Sequence, residues 1–573
     1  MKSVISIKKV AGVVLILLMI SACTEHFDEL NTRHDLVTED ILNTDLLLTY
    51  VQYQAWIYYQ DGGMGTIGNY PGMSVSLSNC PFCIQNMEPN TFIWNAAYDD
   101  LIMNLADLIR ILEKRDDEAG TTDNDNRIAV ARILKTLIFA KVTDTYGDVP
   151  YFESCLPQEI ADYTPRYDTQ KDIYIDFFKE LREAAAQLDE NKGSYGNADL
   201  IYGGDVTKWR KLANSHRLRL ALRVRYVDED LAQNEMSDLN ESNLITNAED
   251  NAFINTADDL LRHTNPNYRR RFSGLNVLGS DLTKEFAAKT MIDLWQDNFD
   301  PRLRLFCDTA EAAWPGTPGY DSIEHFGYRG YPLLGSVPVE EKYPYGLESC
   351  SRWSLHMYAP VWPHPILSSQ EVYFAMAEAA LFNIKGSAAD AQRFYEKGVK
   401  AALDWAVSWN DLIRPQLAAM FQEYRPDWTA EQVEEYAAFH DCTQEKVDAF
   451  SDTAAVMTLK GTVEEQHEMI MNQKIAGYYP IQIWEGWFEW RRTGYPRVLV
   501  GSDGAELQGV SPRRSIWPQS EQELNADNYY VALQRIGGYD HPLVKVWWDT
   551  NPDAPHEHPG KVEWMDQPWV KVK

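Results

Sequence analysis

Thr143-Asp144-Thr145-Tyr146-Gly147-Asp148-Val149-Pro150-Tyr151 is the stretch whose reading decides the fold. Ahead of it, Val130, Ile133, Leu134, Leu137 and Ile138 recur at i, i+3, i+4, i+7 and i+8, one apolar stripe of an amphipathic helix. Gly147 suits the end of that helix, because glycine accepts the left-handed backbone beyond a last turn, and Pro150 cannot continue it. The stretch therefore reads as a long helix, a stop and an extended exit.

The helical period repeats on both sides. Tyr174, Phe177, Phe178, Leu181 and Ala185 form a stripe for which Asp168 or Thr169 is the N-cap, and Trp209, Leu212, Ala213, His216 and Leu220 form another. Tyr373, Met376, Ala377, Ala380 and Leu381 precede Ala391, Phe394, Tyr395 and Ala402, with Gly386 placed to end one helix and Ser387 to cap the next. Helix pairs with small residues on facing surfaces resemble tetratricopeptide units, but no clean 34-residue period survives. Residues 60–100 and about 300–365, rich in Gly, Pro, Asn and aromatics, read as long insertions, and loops of that length are generally functional.

At the amino terminus Lys2, Lys8 and Lys9 precede an apolar run, Val10 to Ile20, of 11 residues. A span needs about 20, so the run is a signal-peptide core. Ile20-Ser21-Ala22-Cys23 looks like a bacterial lipobox, which makes 1–22 a leader and Cys23 the lipidated first residue of the mature chain. Several acyl chains on such a cysteine give stable anchoring. The net charge, 53 Lys+Arg against 85 Asp+Glu for −32, repels nucleic acid and argues against it as a partner. Six further cysteines, Cys80, Cys83, Cys155, Cys307, Cys350 and Cys442, are too few for a disulfide scaffold in a chain this long. Cys80 and Cys83 form either a local disulfide or two free thiols, and no second pair completes a zinc site.

Motifs for cofactors and metals fail in context. Gly63-Met64-Gly65-Thr66-Ile67-Gly68 fits a dinucleotide fingerprint, but Asn69-Tyr70-Pro71-Gly72 follows and opens no helix. His467-Glu468 lacks the second histidine of a zinc helix and reads as solvated surface, as does His556-Glu557-His558. Asp123-Asn124-Asp125-Asn126 offers oxygens to calcium without the glycine and terminal glutamate of an EF-hand. No cofactor is implied, and no nucleophile elbow is present.

Six ordered blocks carry a resemblance. Ala131-x-x-Leu134 leads into Thr143–Tyr151, followed by Tyr167-Asp168-Thr169-Gln170-x-x-Ile173-Tyr174. Next come Tyr202-Gly203-Gly204-Asp205-x-x-Lys208-Trp209 with Arg217-Leu218-Arg219-Leu220-Ala221, and Ala375-Met376-Ala377-Glu378-Ala379. Arg491-Arg492-Thr493-Gly494-x-Pro496 and Arg513-Arg514-Ser515-Ile516-Trp517-Pro518-x-x-Glu521-x-x-x-Asn525 complete the set. Together they resemble the SusD/RagB family of outer-membrane lipoproteins. The resemblance implies a mostly α, SusD-like fold in which tetratricopeptide-like helix pairs support loop-rich insertions, with 23–573 as one nutrient-binding domain. It implies a non-catalytic, lipid-anchored protein on the cell surface, a lid on a SusC-like TonB-dependent transporter. The ligand would be a glycan, with a peptide as the alternative; an extracellular glycosidase and a purely structural lipoprotein are the remaining readings.

The matched blocks look like scaffold. Glu378 among small apolar residues needs an arginine, for which Arg217, Arg219 and Arg223 are candidates, and Glu485, Glu489, Arg491 and Arg492 can pair among themselves or with neighbours. The chain holds 18 Trp and 31 Tyr, and sugar rings pack their C–H faces on such side chains. Trp209, Trp484, Trp487, Phe488 and Trp490 lie on helical stripes and read as packing. Aromatics of the insertions have less to pack against, so Tyr70, Phe82, Trp314, Tyr320, Trp353 and Tyr358 are the candidate ligand platform, with Asn69, Asn79, Asp321 and Arg352 as polar neighbours.

Overall fold

The computed structural model describes residues 42–58, 73–76, 91–156, 163–257, 285–310, 327–331, 350–424, 426–480, 482–498 and 512–555, and these are mostly α-helical. The helices used below are α1 (Thr44–Tyr53), α2 (Ile102–Ala119), α3 (Asp125–Tyr146), α4 (Gln170–Gln187), α5 (Val206–Val224), α6 (Ser369–Leu381), α7 (Ala388–Tyr424), α8 (Val463–Tyr478) and α9 (Ile483–Thr493). Helices α2 to α5 pack each on the next, and α6 packs on α7 and α8, which is the expected pairing of helical layers. Short antiparallel ladders join distant segments: Val149–Pro150 with Tyr167–Asp168, and Ala252–Asn255 with Pro363–Leu367. The described residues from Asp45 onward form one compact unit.

The helix boundaries follow from local chemistry. Thr169 caps α4, its Oγ1 accepting from the Asp172 amide at 3.2 Å, while Asp168 accepts from the amides of Tyr151 and Phe152. Gly147 ends α3 at φ +81°, and its amide donates to the Thr143 carbonyl at 2.7 Å. Helix α6 stops sooner than the sequence suggests. Asn383, not Gly386, first takes the left-handed conformation (φ +55°), and Ser387 then accepts from the Asp390 amide ahead of α7.

Helix α3 differs from the one-stripe expectation. Besides Val130, Ile133, Leu134, Leu137 and Ile138, it buries Ala129, Ala131, Phe139, Val142, Thr143, Asp144, Thr145 and Tyr146, because neighbouring helices cover more than one of its faces. The insertions are also shorter than expected. Residues Thr91–Asn95 and Ala96–Leu101 are helical and bury Ile93, Trp94 and Ala97. Arg302–Phe306 is a helix, and Pro363–Leu367 is a fully buried strand.

Arginines neutralise the buried acids, though not in the pairing expected from the sequence. Arg492 grips Glu378 through two bonds (2.5 and 2.7 Å) and reaches Glu489 at 2.5 Å, while Arg225 adds a contact to Glu378 at 3.0 Å. Arg219 instead takes Glu371 (2.5 and 2.7 Å), Arg223 takes Asp144 and Glu485, and Arg217 turns to Asp238 and Glu235. Burial alone would raise the Glu378 carboxyl, but Arg492 and Arg225 outweigh it and hold the group well below the usual range. His467 is another correction. It faces inward from α8, 1% exposed, with Nε2 3.6 Å from Glu378, and is not solvated surface.

The carboxy-terminal segment closes on the stretch that decides the fold. Arg491 donates to the Asp144 carbonyl at 2.6 Å, Arg514 Nε to that of Tyr146 at 3.1 Å, and the Ser515 amide to that of Thr145 at 2.8 Å. Trp517 Nε1 bonds the Asp148 carbonyl at 2.9 Å, and Trp548 Nε1 bonds the Asp144 carboxylate at 2.7 Å.

Candidate functional site

Where the scaffold helices converge they leave a cleft. Trp56 and Ala55, just beyond α1, form one wall with Ile93, Ala96, Ala97 and Leu101; α3 contributes Leu137, Ile138, Lys141 and Val142. Arg219 of α5, Pro365 and Ile366 of the buried strand, and Gln482, Trp484 and Glu485 at the start of α9 close the other side. The space amounts to about 80 Å³. Its lining is mainly apolar with a few convergent polar groups, the usual composition of a small-ligand site.

Charge in the cleft is balanced. Lys141 places its ammonium 4.9 Å from the Trp484 ring centre. Burial pushes this amine down to about 8, against the opposing pull of Glu485. Glu485 lies 2.7 Å from Arg223 and 3.4 Å from Arg219. Burial would raise its carboxyl, but the two arginines outweigh burial and keep it below the ordinary value. A carboxylate held ionised in this way is a poor proton donor, so it suits binding better than general acid catalysis. Among the described residues no group of three or more His, Cys, Asp or Glu is arranged to hold a metal ion. In the Asp123–Asn126 run, Asn124 bonds Asp116, Asp125 takes the Lys192 ammonium, and Asn126 bonds backbone carbonyls at 189, 192 and 193.

Three of the ten platform residues expected from the sequence can be placed. Trp353 and Tyr358 are core residues, 4% and 3% exposed, and Arg352 is half-buried with its guanidinium 5.0 Å from the Phe286 ring centre. The premise that insertion aromatics lack packing partners fails at both. Residue 353 bridges Cys307 through its backbone, and its ring is buried in the core. Asn69, Tyr70, Asn79, Phe82, Trp314, Tyr320 and Asp321 lie outside the described residues, as do Cys23, Cys80, Cys83 and residues 1–22. Cys155, Cys307, Cys350 and Cys442 are free thiols. Trp209, Trp487, Phe488 and Trp490 are buried as packing residues, and Trp484, also buried, lines the cleft as well.

Sequence reasoning missed the cleft, although one signal was present. Lys141 stands four residues after Leu137 and seven after Leu134, on the apolar stripe itself. A charge there either finds a partner or lines a cavity.

Comparison with known proteins agrees with this architecture. The model of the SusD-like family, described as starch-binding and associating with the outer membrane, matches residues 83–518. Among solved structures, a chitin-binding protein is 27% identical, with 89% of this chain and 100% of the other covered at a TM-score of 0.68. A chitin-binding SusD homologue from Flavobacterium johnsoniae is 22% identical (88% and 98% covered, TM-score 0.62). A SusD homologue from Bacteroides fragilis is 20% identical (89% and 100% covered, TM-score 0.67). No curated protein matches the chain. Given helical layers of this form and a family match spanning residues 83–518, the chain belongs to the SusD-like family, described as starch-binding proteins that associate with the outer membrane.

Proposed function

We propose that this chain is a cell-surface lipoprotein that binds a glycan and delivers it to a partner TonB-dependent transporter of the outer membrane. The observation that carries the reading is the family match over residues 83–518, joined by the 27% identical chitin-binding protein covered along its whole length. The lipobox at Ile20–Cys23 supports the anchor. The ionised, arginine-paired carboxylate of the cleft supports binding without hydrolysis.

Calorimetric titration of residues 24–573 against chitin, starch, plant, algal and host oligosaccharides, alongside peptides, tests the ligand class. Binding to a glycan is expected, and binding to peptides alone overturns that choice. Release of reducing sugar, lost on replacing a carboxylate, would make the protein an enzyme. For the anchor, Cys23→Ser should leave the protein unlipidated and free of the membrane fraction. Unchanged fractionation would place the anchor elsewhere.

A further inference from the structure

The helix Lys289–Asp297 closes on a residue whose place glycine ordinarily takes. Phe299 stands at φ +57°, its amide donating to the Gln296 carbonyl at 3.1 Å, and the Asp300 amide donates to that of Trp295 at 2.9 Å. In this left-handed close a Cβ crowds the carbonyl beside it, so a bulky residue there is an outlier. The turn is held from both sides. Asn298 Nδ2 donates to the Leu294 carbonyl at 2.7 Å, and the buried Asp300 carboxylate takes Arg302 Nη2 at 2.5 Å, which also bonds Gln473 at 2.7 Å. Yet Phe299 is 89% exposed, and its ring meets no other ring or cation among the described residues. By contrast, the exposed rings of Phe152, Phe439 and Tyr539 rest against Tyr151, Arg304 and His541. A strained backbone and an apolar ring in water both cost stability, and strain of this kind gathers where ligands are met.

We propose that Phe299 is a stacking platform for one sugar ring of the bound glycan. The inference rests on the glycan-binding reading and adds to it a contact residue that is not part of the cleft lining. A pyranose offers a flat face of C–H groups matched in size to one phenyl ring, whose π face is negative and attracts them. The sugar's hydroxyls lie at the rim of that face. Gln296 and Asp297, exposed on the last turn just before Phe299, are the polar side chains placed to bond them. A protein partner fits less well. A stable interface takes about 800 Å² from each side, whereas one aromatic side chain supplies about 150–250 Å². Among the described residues of 285–310 no other large apolar side chain is exposed. The pinned turn suits a platform too, because a ring already fixed in place loses little freedom when the sugar arrives.

The test titrates hexasaccharides of chitin, starch and cellulose, and any other glycan of the panel above that the parent binds, into Phe299→Tyr, Phe299→Leu and Phe299→Asn. Tyrosine keeps a flat ring and should bind as the parent does. Leucine keeps apolar area without a flat face, and asparagine keeps neither. Each of these two should weaken the glycan roughly two- to twelvefold, the worth of one aromatic stacking contact. Protein carrying para-fluorophenylalanine reports the contact directly: the Phe299 fluorine signal is the one that Phe299→Tyr removes, and bound sugar should shift it. Phe299→Asn should melt at or above the parent temperature, because asparagine accepts the left-handed backbone. If the leucine variant binds as the parent does, or the fluorine signal stays put while sugar binds, the platform is wrong and glycan binding stands. An asparagine variant melting well below the parent would show a ring packed on the protein and would overturn the platform in the same way. If the parent binds no glycan at all, the functional reading itself falls, and the platform with it.

Discussion

Replacing Arg492 by leucine should destabilise the protein measurably, and the structure indicates by how much. Arg492 is wholly buried and serves two carboxylates, Glu378 through two bonds and Glu489 through two. Removing one partner of a buried ion pair costs about 3–5 kcal/mol, because the remaining charge stays buried. Here each orphan keeps other company. Glu378 retains Arg225 at 3.0 Å, and Glu489 retains Lys474 and Arg223, both at 3.3 Å. The lower end, about 3 kcal/mol, is therefore expected. An unfolding entropy of about 2.1 cal/mol/K per residue over about 530 residues gives roughly 1.1 kcal/mol/K, so the midpoint should fall by only about 3 °C. Differential scanning calorimetry at a fixed scan rate resolves that shift. The double variant Glu378→Leu/Arg492→Leu should melt above the single one, since it removes the stranded charge as well. A single variant melting with the parent, or a double variant losing the sum of both single effects, would refute the reasoning.

Three further outcomes follow from described residues. Glu378 and Glu489 are carboxyls that burial would raise but that cations hold down, Glu489 to about 2 against an ordinary 4.5. Their stabilisation is thus complete above about pH 4.5 and lost as pH falls toward 2, which urea midpoints across that window should show as a steep decline, absent if these groups titrate normally. Trp353→Ala should cost about 3–5 kcal/mol of stability with little change in glycan affinity, whereas Trp314→Ala, if that residue meets ligand, should do the reverse; an unchanged melting curve for Trp353→Ala would contradict its place in the core. Lys141, its amine pushed down to about 8, should react with an acylating reagent at pH 8 faster than ordinary lysines and be protected by bound glycan, and mass spectrometry of the labelled peptides showing the opposite order would count against the cleft as the ligand's place.

What could be read from the sequence was local in its chemistry. The end of α3 at Gly147 and the Thr169 cap depend on residues within a few positions of one another, and both appear in the structure. Partner choice was not local. Glu378 pairs with Arg492, 114 residues away, and the candidate arginines of α5 were already committed to Glu371, Asp144, Glu485, Asp238 and Glu235. Composition also misled at Trp353, because a loop-rich segment can still run beneath the surface when its backbone bridges a neighbour. The cleft is a property of several helices meeting, and only the misplaced charge of Lys141 hinted at it.

The closure of the carboxy-terminal segment on residues 143–151 also governs how the chain comes to be folded. Trp548 reaches Asp144 across 404 positions, and Arg514 reaches Tyr146 across 368. The carbonyls that end α3 at Asp144 and Tyr146 therefore wait for partners 347 and 368 residues further along. Contacts this distant in sequence form slowly, and incomplete chains expose surface meanwhile. A nascent chain stalled before Arg491 would hold α3 without its capping partners, and fragments of that length should be preferred targets for proteases. In a chain exported as proposed above, that delay would keep the architecture open until Arg514 and the residues around it had crossed the membrane.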